Sequence, residues 1–137
     1  MDKSSTVTFV WRMLSYAYGA VLVIIGLDKV AQTHVIVEWT TYVSPLAQSV
    51  IPLDPATFVM VLGAAEIVVG ILFFTQWVRV AAYIAIAVIA LIIINLLNLG
   101  MYDIAARDAL IALGAYAVVL LTGNEGYALK AQRASNA

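Results

Sequence analysis

The stretch 79–99, RVAAYIAIAVIALIIINLLNL, carries one charge at its first position and then twenty residues without another. At about 1.5 Å of rise per residue, that run covers the roughly 30 Å of a bilayer's hydrocarbon core. A helix on the surface of a soluble domain shows a polar face, and this one shows only Asn95 and Asn98, near its end. It reads as a transmembrane helix, and the neighbouring sequence repeats the pattern. Upstream, 57–77 is a second apolar run preceded by Asp54-Pro55, where Asp caps the first turn and Pro sits at the first helical position. The link Thr75-Gln76-Trp77-Val78 is short enough to make the two spans an antiparallel hairpin. Downstream, Gly100-Met101-Tyr102-Asp103 leads into a fourth run, 104–122, which Gly123-Asn124 is expected to end. The polar tail to Ala137 reads as frayed. The first run, 9–30, lacks the short apolar region and small-residue cleavage site of a signal peptide, so it is expected to be a retained helix.

The fold class that follows is an all-α membrane protein, a four-transmembrane-helix antiparallel bundle forming one domain over residues 1–137. Composition agrees. The chain is 64% hydrophobic and 11% charged, with a mean hydropathy of +1.01, against about 25% charge in soluble domains. A net charge of −1 without a basic patch excludes nucleic acid as a partner. The absence of cysteine excludes disulfides, thiolate nucleophiles and thiolate-held metal. A single histidine, His34, makes no metal site and excludes haem held by paired histidines of this chain.

Between the first two spans, 31–52 is apolar but interrupted by His34, Glu38, Gln48 and two prolines. Val35, Trp39, Tyr42, Val43 and Leu46 recur at helical spacing, which predicts an amphipathic segment lying at the membrane surface, kinked or ended by Pro45. Of the seven basic residues, Lys3, Arg12, Arg79, Lys130 and Arg133 fall on one side of the bundle and Lys29 and Arg107 on the other. The positive-inside rule then places both termini in the cytoplasm and the 31–52 segment outside.

Function is to be sought among polar residues inside the membrane, where an ionisable group persists only with a partner or a purpose. Glu66 lies about nine residues from either end of its predicted span and shares a stripe with Gly63 and Gly70, so it faces another helix near the midplane. Its candidate neighbours are Arg12, Tyr16 and Tyr18 on the first helix, Asn95 on the third and Asp108 on the fourth. Asp28, Lys29, Arg107 and Asp108 are expected to form a charged rim at the outer end. Each has a plainer reading: Glu66 and the asparagines as hydrogen-bonding residues that lock packing, and Arg79 beside Trp77 as an interfacial anchor.

Arg12, Gly26-Leu27-Asp28-Lys29-Val30, Gly63-Ala64-Ala65-Glu66-Ile67-Val68-Val69-Gly70, Arg79-Val80-Ala81-Ala82 and Arg107-Asp108, taken in order, resemble the DoxX-like family of small four-helix membrane proteins. The chain departs from that family's pattern at Thr122-Gly123-Asn124-Glu125-Gly126-Tyr127 and in its long outer segment. The resemblance implies a bacterial or archaeal cell membrane and a range of roles: a quinone-reducing thiosulfate oxidation subunit, components of oxidoreductase complexes, assembly factors and trafficking receptors. It carries over to Arg12, Lys29, Glu66, Arg79 and Asp108. Two readings follow. In one the protein is an accessory subunit or assembly factor that associates with other membrane subunits or with itself. In the other it binds a quinone or lipid, with Glu66 as proton donor or acceptor and Tyr16 or Tyr18 as hydrogen-bond partner. Proton or small-ion transport is a third, weaker one, since a single central carboxyl forms no relay.

Overall fold

A computed structural model describes the backbone of residues 3–135 and the side chains of residues 5–123. The elements in chain order are α1 (Lys3–Ala31), a 3₁₀ turn (Trp39–Tyr42), α2 (Pro45–Val50), α3 (Pro55–Leu72), α4 (Val78–Asn98) and α5 (Tyr102–Ser135). Four stretches are long and apolar enough to cross a membrane: Ser5–Ala31, Pro55–Leu72, Val78–Asn98 and Tyr102–Gly123. The chain is an integral membrane protein, a four-helix bundle set in a lipid bilayer. α1 packs chiefly along α3 and α4 along α5, with lesser contacts from α1 to α5 and from α3 to α4, so the helices close into a ring. Most large apolar side chains on the outside, such as Ile24, Val61, Val68, Leu91, Leu110 and Leu113, are exposed, as a lipid solvent requires.

The helix ends follow from local chemistry. Asp54 caps α3 as its sequence suggests, its carboxylate accepting from the Thr57 amide at 3.0 Å and the Thr57 hydroxyl at 2.7 Å, with Pro55 first in the helix. α3 stops at Leu72, five residues before the expected end at 77, and residues 73–77 form the turn into α4. Phe73 there is almost fully buried, and Thr75 folds its hydroxyl onto the Leu72 carbonyl. α4 ends in a Schellman turn: Gly100 takes a φ of +73°, and the Gly100 and Met101 amides donate to the carbonyls of Leu97 and Leu96. Helix α5 does not end at Gly123-Asn124. It continues to Ser135, so the expected frayed tail is helical over most of its length. Once a helix is propagating, a polar residue or a glycine weakens it by only about 1 kcal/mol, and a single such signal does not stop it.

The main apolar core lies at the end of the bundle where α3 turns into α4. Val69, Phe73, Val78, Ala81, Ala82, Ala85, Val118 and Val119 form it, and the Trp11 indole closes its edge by donating to the Thr122 hydroxyl at 2.8 Å. This end is called the terminal face below; the opposite end, carrying residues 32–54, is the cap face.

The cap differs from the amphipathic segment expected at 31–52. It is a short 3₁₀ turn followed by one and a half turns of helix, and Pro45 starts α2 instead of ending a helix. Ser44 caps that start, its hydroxyl accepting from the Ala47 amide at 3.1 Å. Of the apolar residues at that spacing, Trp39, Tyr42 and Val43 are half-buried, while Val35 and Leu46 are exposed. Polar ties also hold the cap down, as described next.

Candidate functional site

The first glycine of α1 to matter is Gly26, which lies against Gly63 of α3. A Cβ on Gly26 would stand 2.6 Å from the Gly63 carbonyl oxygen, and a Cβ on Gly63 would stand 2.6 Å from Lys29 Cβ. Only glycine permits that approach, and Gly19 meets Gly70 in the same way two turns further on. Antiparallel helices in this register put the Lys29 and Glu66 backbones about 9 Å apart along the axis, from six residues of rise. Helical side chains lean towards their own N-terminus. Lys29 therefore leans from the cap face into the bundle, while Glu66, on a helix of opposite sense, leans towards the cap face. They meet: Lys29 Nζ donates to Glu66 Oε1 at 2.6 Å.

Both residues are buried, at 5% and 6% exposure, and Asp28 beside them at 7%. These three are the buried charged residues among the described ones. Asp28 turns to the cap. Its Oδ1 accepts from the Thr33 hydroxyl and from the Val35 amide at 3.1 Å, and its Oδ2 from the Ile36 amide at 3.4 Å and the Trp39 indole at 2.7 Å. Gathering these donors bends the chain sharply, and Gln32 and His34 take left-handed φ values of 51° and 53°, a conformation that costs of order 1 kcal/mol or more for each. The Trp39 ring, held at its N–H by Asp28, lies under Lys29 Nζ at 4.5 Å from its centroid, a cation–π contact. Adjacent residues of α1 thus grip one indole by its edge and its face. The final feature is an omission in the hydrogen bonding. Glu66 Oε2 is buried and has no hydrogen-bond partner among the described residues.

The other residues singled out in the sequence are elsewhere. Tyr18 donates to the Ile111 carbonyl and stacks on Phe73; Tyr16 is exposed and stacks on Phe74. Arg12 is exposed, two turns into the membrane-spanning part of α1 from the terminal face. Asn95 pins the middle of the cap, donating from Nδ2 to the Tyr42 carbonyl and accepting at Oδ1 from the Ser44 amide at 3.0 Å. The charged rim expected of Asp28, Lys29, Arg107 and Asp108 is not one cluster. Arg107 pairs with its neighbour Asp108 at 3.2 Å, Asp28 holds the cap, and Lys29 serves Glu66. Nor is Glu66 central in its helix, lying eleven residues from Pro55 and six from Leu72. Among the described residues there is no group of three or more potential metal ligands.

Sequence reasoning found Glu66 and missed its partner. Lys29 reads as a rim residue because it is two positions from the end of α1, and only the direction of its side chain brings it inward. Trp39 reads as an interface aromatic, and its spacing from Asp28 gives no sign that a turn will fold the two together. Comparison of the chain with family models, curated proteins and solved structures gives no match.

Proposed function

We propose that this protein is an accessory subunit or assembly factor of a membrane complex, of the DoxX-like kind, in a bacterial or archaeal cell membrane with both termini cytoplasmic. The observation that carries the reading is the cap. Asp28 ties its first half to α1 and Asn95 its middle to α4, yet Val35, Leu46 and Val50 are exposed. A loop tied down in this way, with exposed apolar side chains, suits docking of another subunit at the membrane surface. The buried pair supports the same reading, because Lys29 and Glu66 spend their charges on each other and lock α1 to α3. Five basic residues on the terminal side against two on the cap side support the orientation.

Native mass spectrometry of the protein gently extracted from its own membrane tests the reading. A subunit should copurify in fixed ratio, should be lost from a Val35→Ser/Val50→Ser variant that stays folded, and should fail to assemble once the gene is deleted. Normal assembly in the deletion strain would overturn the proposal. A retained isoprenoid and no subunit would favour the quinone or lipid reading instead.

A further inference from the structure

We infer that Glu66 binds one exchangeable proton at Oε2, reached from the cap face, and that Trp39 is the valve controlling its access.

The first part rests on a count of charge and of hydrogen bonds. With Asp28, Lys29 and Glu66 all ionised, the buried cluster carries a net charge of −1. Asp28 has the surroundings of a carboxylate, accepting from two amides, a hydroxyl and an indole. Lys29 spends one N–H on Glu66 Oε1 and turns towards the Trp39 ring. On Glu66 itself the cation answers Oε1 alone, and Oε2 accepts from nothing among the described residues. A bare carboxylate oxygen in a buried site is costly, and a proton added there removes the lone pair that nothing else satisfies. The step is a simple one: a hydronium ion at the cap face gives its proton to Oε2 and leaves as water, and the Lys29 contacts with Glu66 Oε1 and the Trp39 ring lie to the side of that atom.

Among the described residues no other ionisable group offers to take this part. From α1 the groups facing Glu66 are Lys29 and, beyond it, Asp28. From the cap, Tyr42 sets its ring 6.4 Å from that of Trp39, and Glu38 and His34 are exposed and contact each other at 3.3 Å. α4 carries one charged residue, Arg79, in its first turn at the terminal face, and the exposed Tyr83. On α5, Arg107 and Asp108 are paired.

The second part rests on the position of Trp39. Lys29 is two residues from the cap end of α1, and its ammonium is the group between Glu66 and that face. The indole covers it. Trp39 is fastened by one hydrogen bond to Asp28 and by the cation–π contact, at the start of a turn, Trp39–Tyr42, that has no buried side chain of its own. Loss of the indole opens the shortest way from water to the pair.

The test is infrared difference spectroscopy on the full chain in lipid nanodiscs, titrated with acid and then exchanged into heavy water. The wild type should show a protonated-carboxyl band that titrates as one group and is lost in Glu66→Gln. Gln mimics the protonated form in shape and charge, so that variant should fold. In Trp39→Ala the same band should shift on deuteration at least tenfold faster. Absence of the band from the wild type, or its persistence in Glu66→Gln, would overturn the proton site. An unchanged exchange rate in Trp39→Ala and in the milder Trp39→Phe would overturn the valve. The wild-type measurement decides the first question even if a variant misfolds. None of these readouts depends on a partner subunit, so their failure is distinct from failure of the proposed assembly role.

Discussion

Along α1 and α3 the backbones touch at Gly26 and Gly63 and an ion pair is buried beside them, whereas along α4 and α5 the contact is made of methyl groups from Ala81, Ala82, Ala85, Ala115, Val118 and Val119. In lipid both seams lack the driving force that water gives to apolar contact, because the acyl chains are as apolar as the side chains they replace. The α4/α5 seam makes up the difference with dispersion contacts spread over many small side chains. The α1/α3 seam relies on close approach plus one strong polar contact. The first arrangement degrades gradually when altered; the second depends on a few atoms.

Substitutions should expose that contrast in order of size. Lys29→Met leaves the Glu66 carboxylate buried without its cation and should destabilise the protein by about 3–5 kcal/mol, read by thermal unfolding of the detergent-solubilised chain. The double variant Lys29→Met/Glu66→Leu should recover most of that loss; equal instability of the double variant would show that the pair does not act as a pair. Gly26→Ala comes next, at about 1–3 kcal/mol, since its Cβ would press on the Gly63 carbonyl and a backbone cannot step aside as a side chain can. Val118→Ala in the opposite seam should cost on the order of 1 kcal/mol, the lost dispersion of two methyl groups. A Val118→Ala effect as large as that of Gly26→Ala would remove the distinction between the seams.

The smallest effect concerns pH at the cap. The amide and hydroxyl of Thr57 hold the Asp54 carboxyl below its ordinary value. A carboxyl lowered on folding stabilises the protein above its unfolded value, and the contribution fades as pH falls through the folded one. Unfolding followed down an acid series should therefore show a slight loss in the wild type in that acidic window. The Asp54-dependent part of that loss should be missing in Asp54→Asn, which keeps a capping oxygen.

The spans were legible because lipid imposes a crude rule, that about twenty apolar residues form a helix, and Asp54-Pro55 set the start of α3 for equally local reasons. The ends of α3 and α5 were not legible. Whether residues 73–77 turn or continue as helix depends on where Phe73 is buried, and the tail after Gly123 carries weak stop signals that an established helix overrides. Glu66 stood out because a charge inside an apolar run is conspicuous by itself. Lys29 and Trp39 did not, because their role arises from two helices of opposite sense and from a turn around Asp28, and neither relation is written in spacing along one chain. Asn95 gave half its meaning away: it was recognisable as a hydrogen-bonding residue, but its partners, Tyr42 and Ser44, are some fifty positions earlier.

The glycines of the α1/α3 seam recur every seven residues on both helices, at 19 and 26 and at 63 and 70, and a ladder with evenly spaced rungs can be joined one rung out of step. Slip in one direction sets Gly63 opposite residue 33, past the end of α1, where there is no helix to meet it. Slip in the other sets Gly19 opposite Gly63, keeping one of the two glycine contacts, and draws Lys29 and Glu66 about 20 Å apart along the axis. The helix end forbids the first error and the stranded charges forbid the second. Lys29 and Glu66 are thus the key that lets the newly inserted chain count its own rungs.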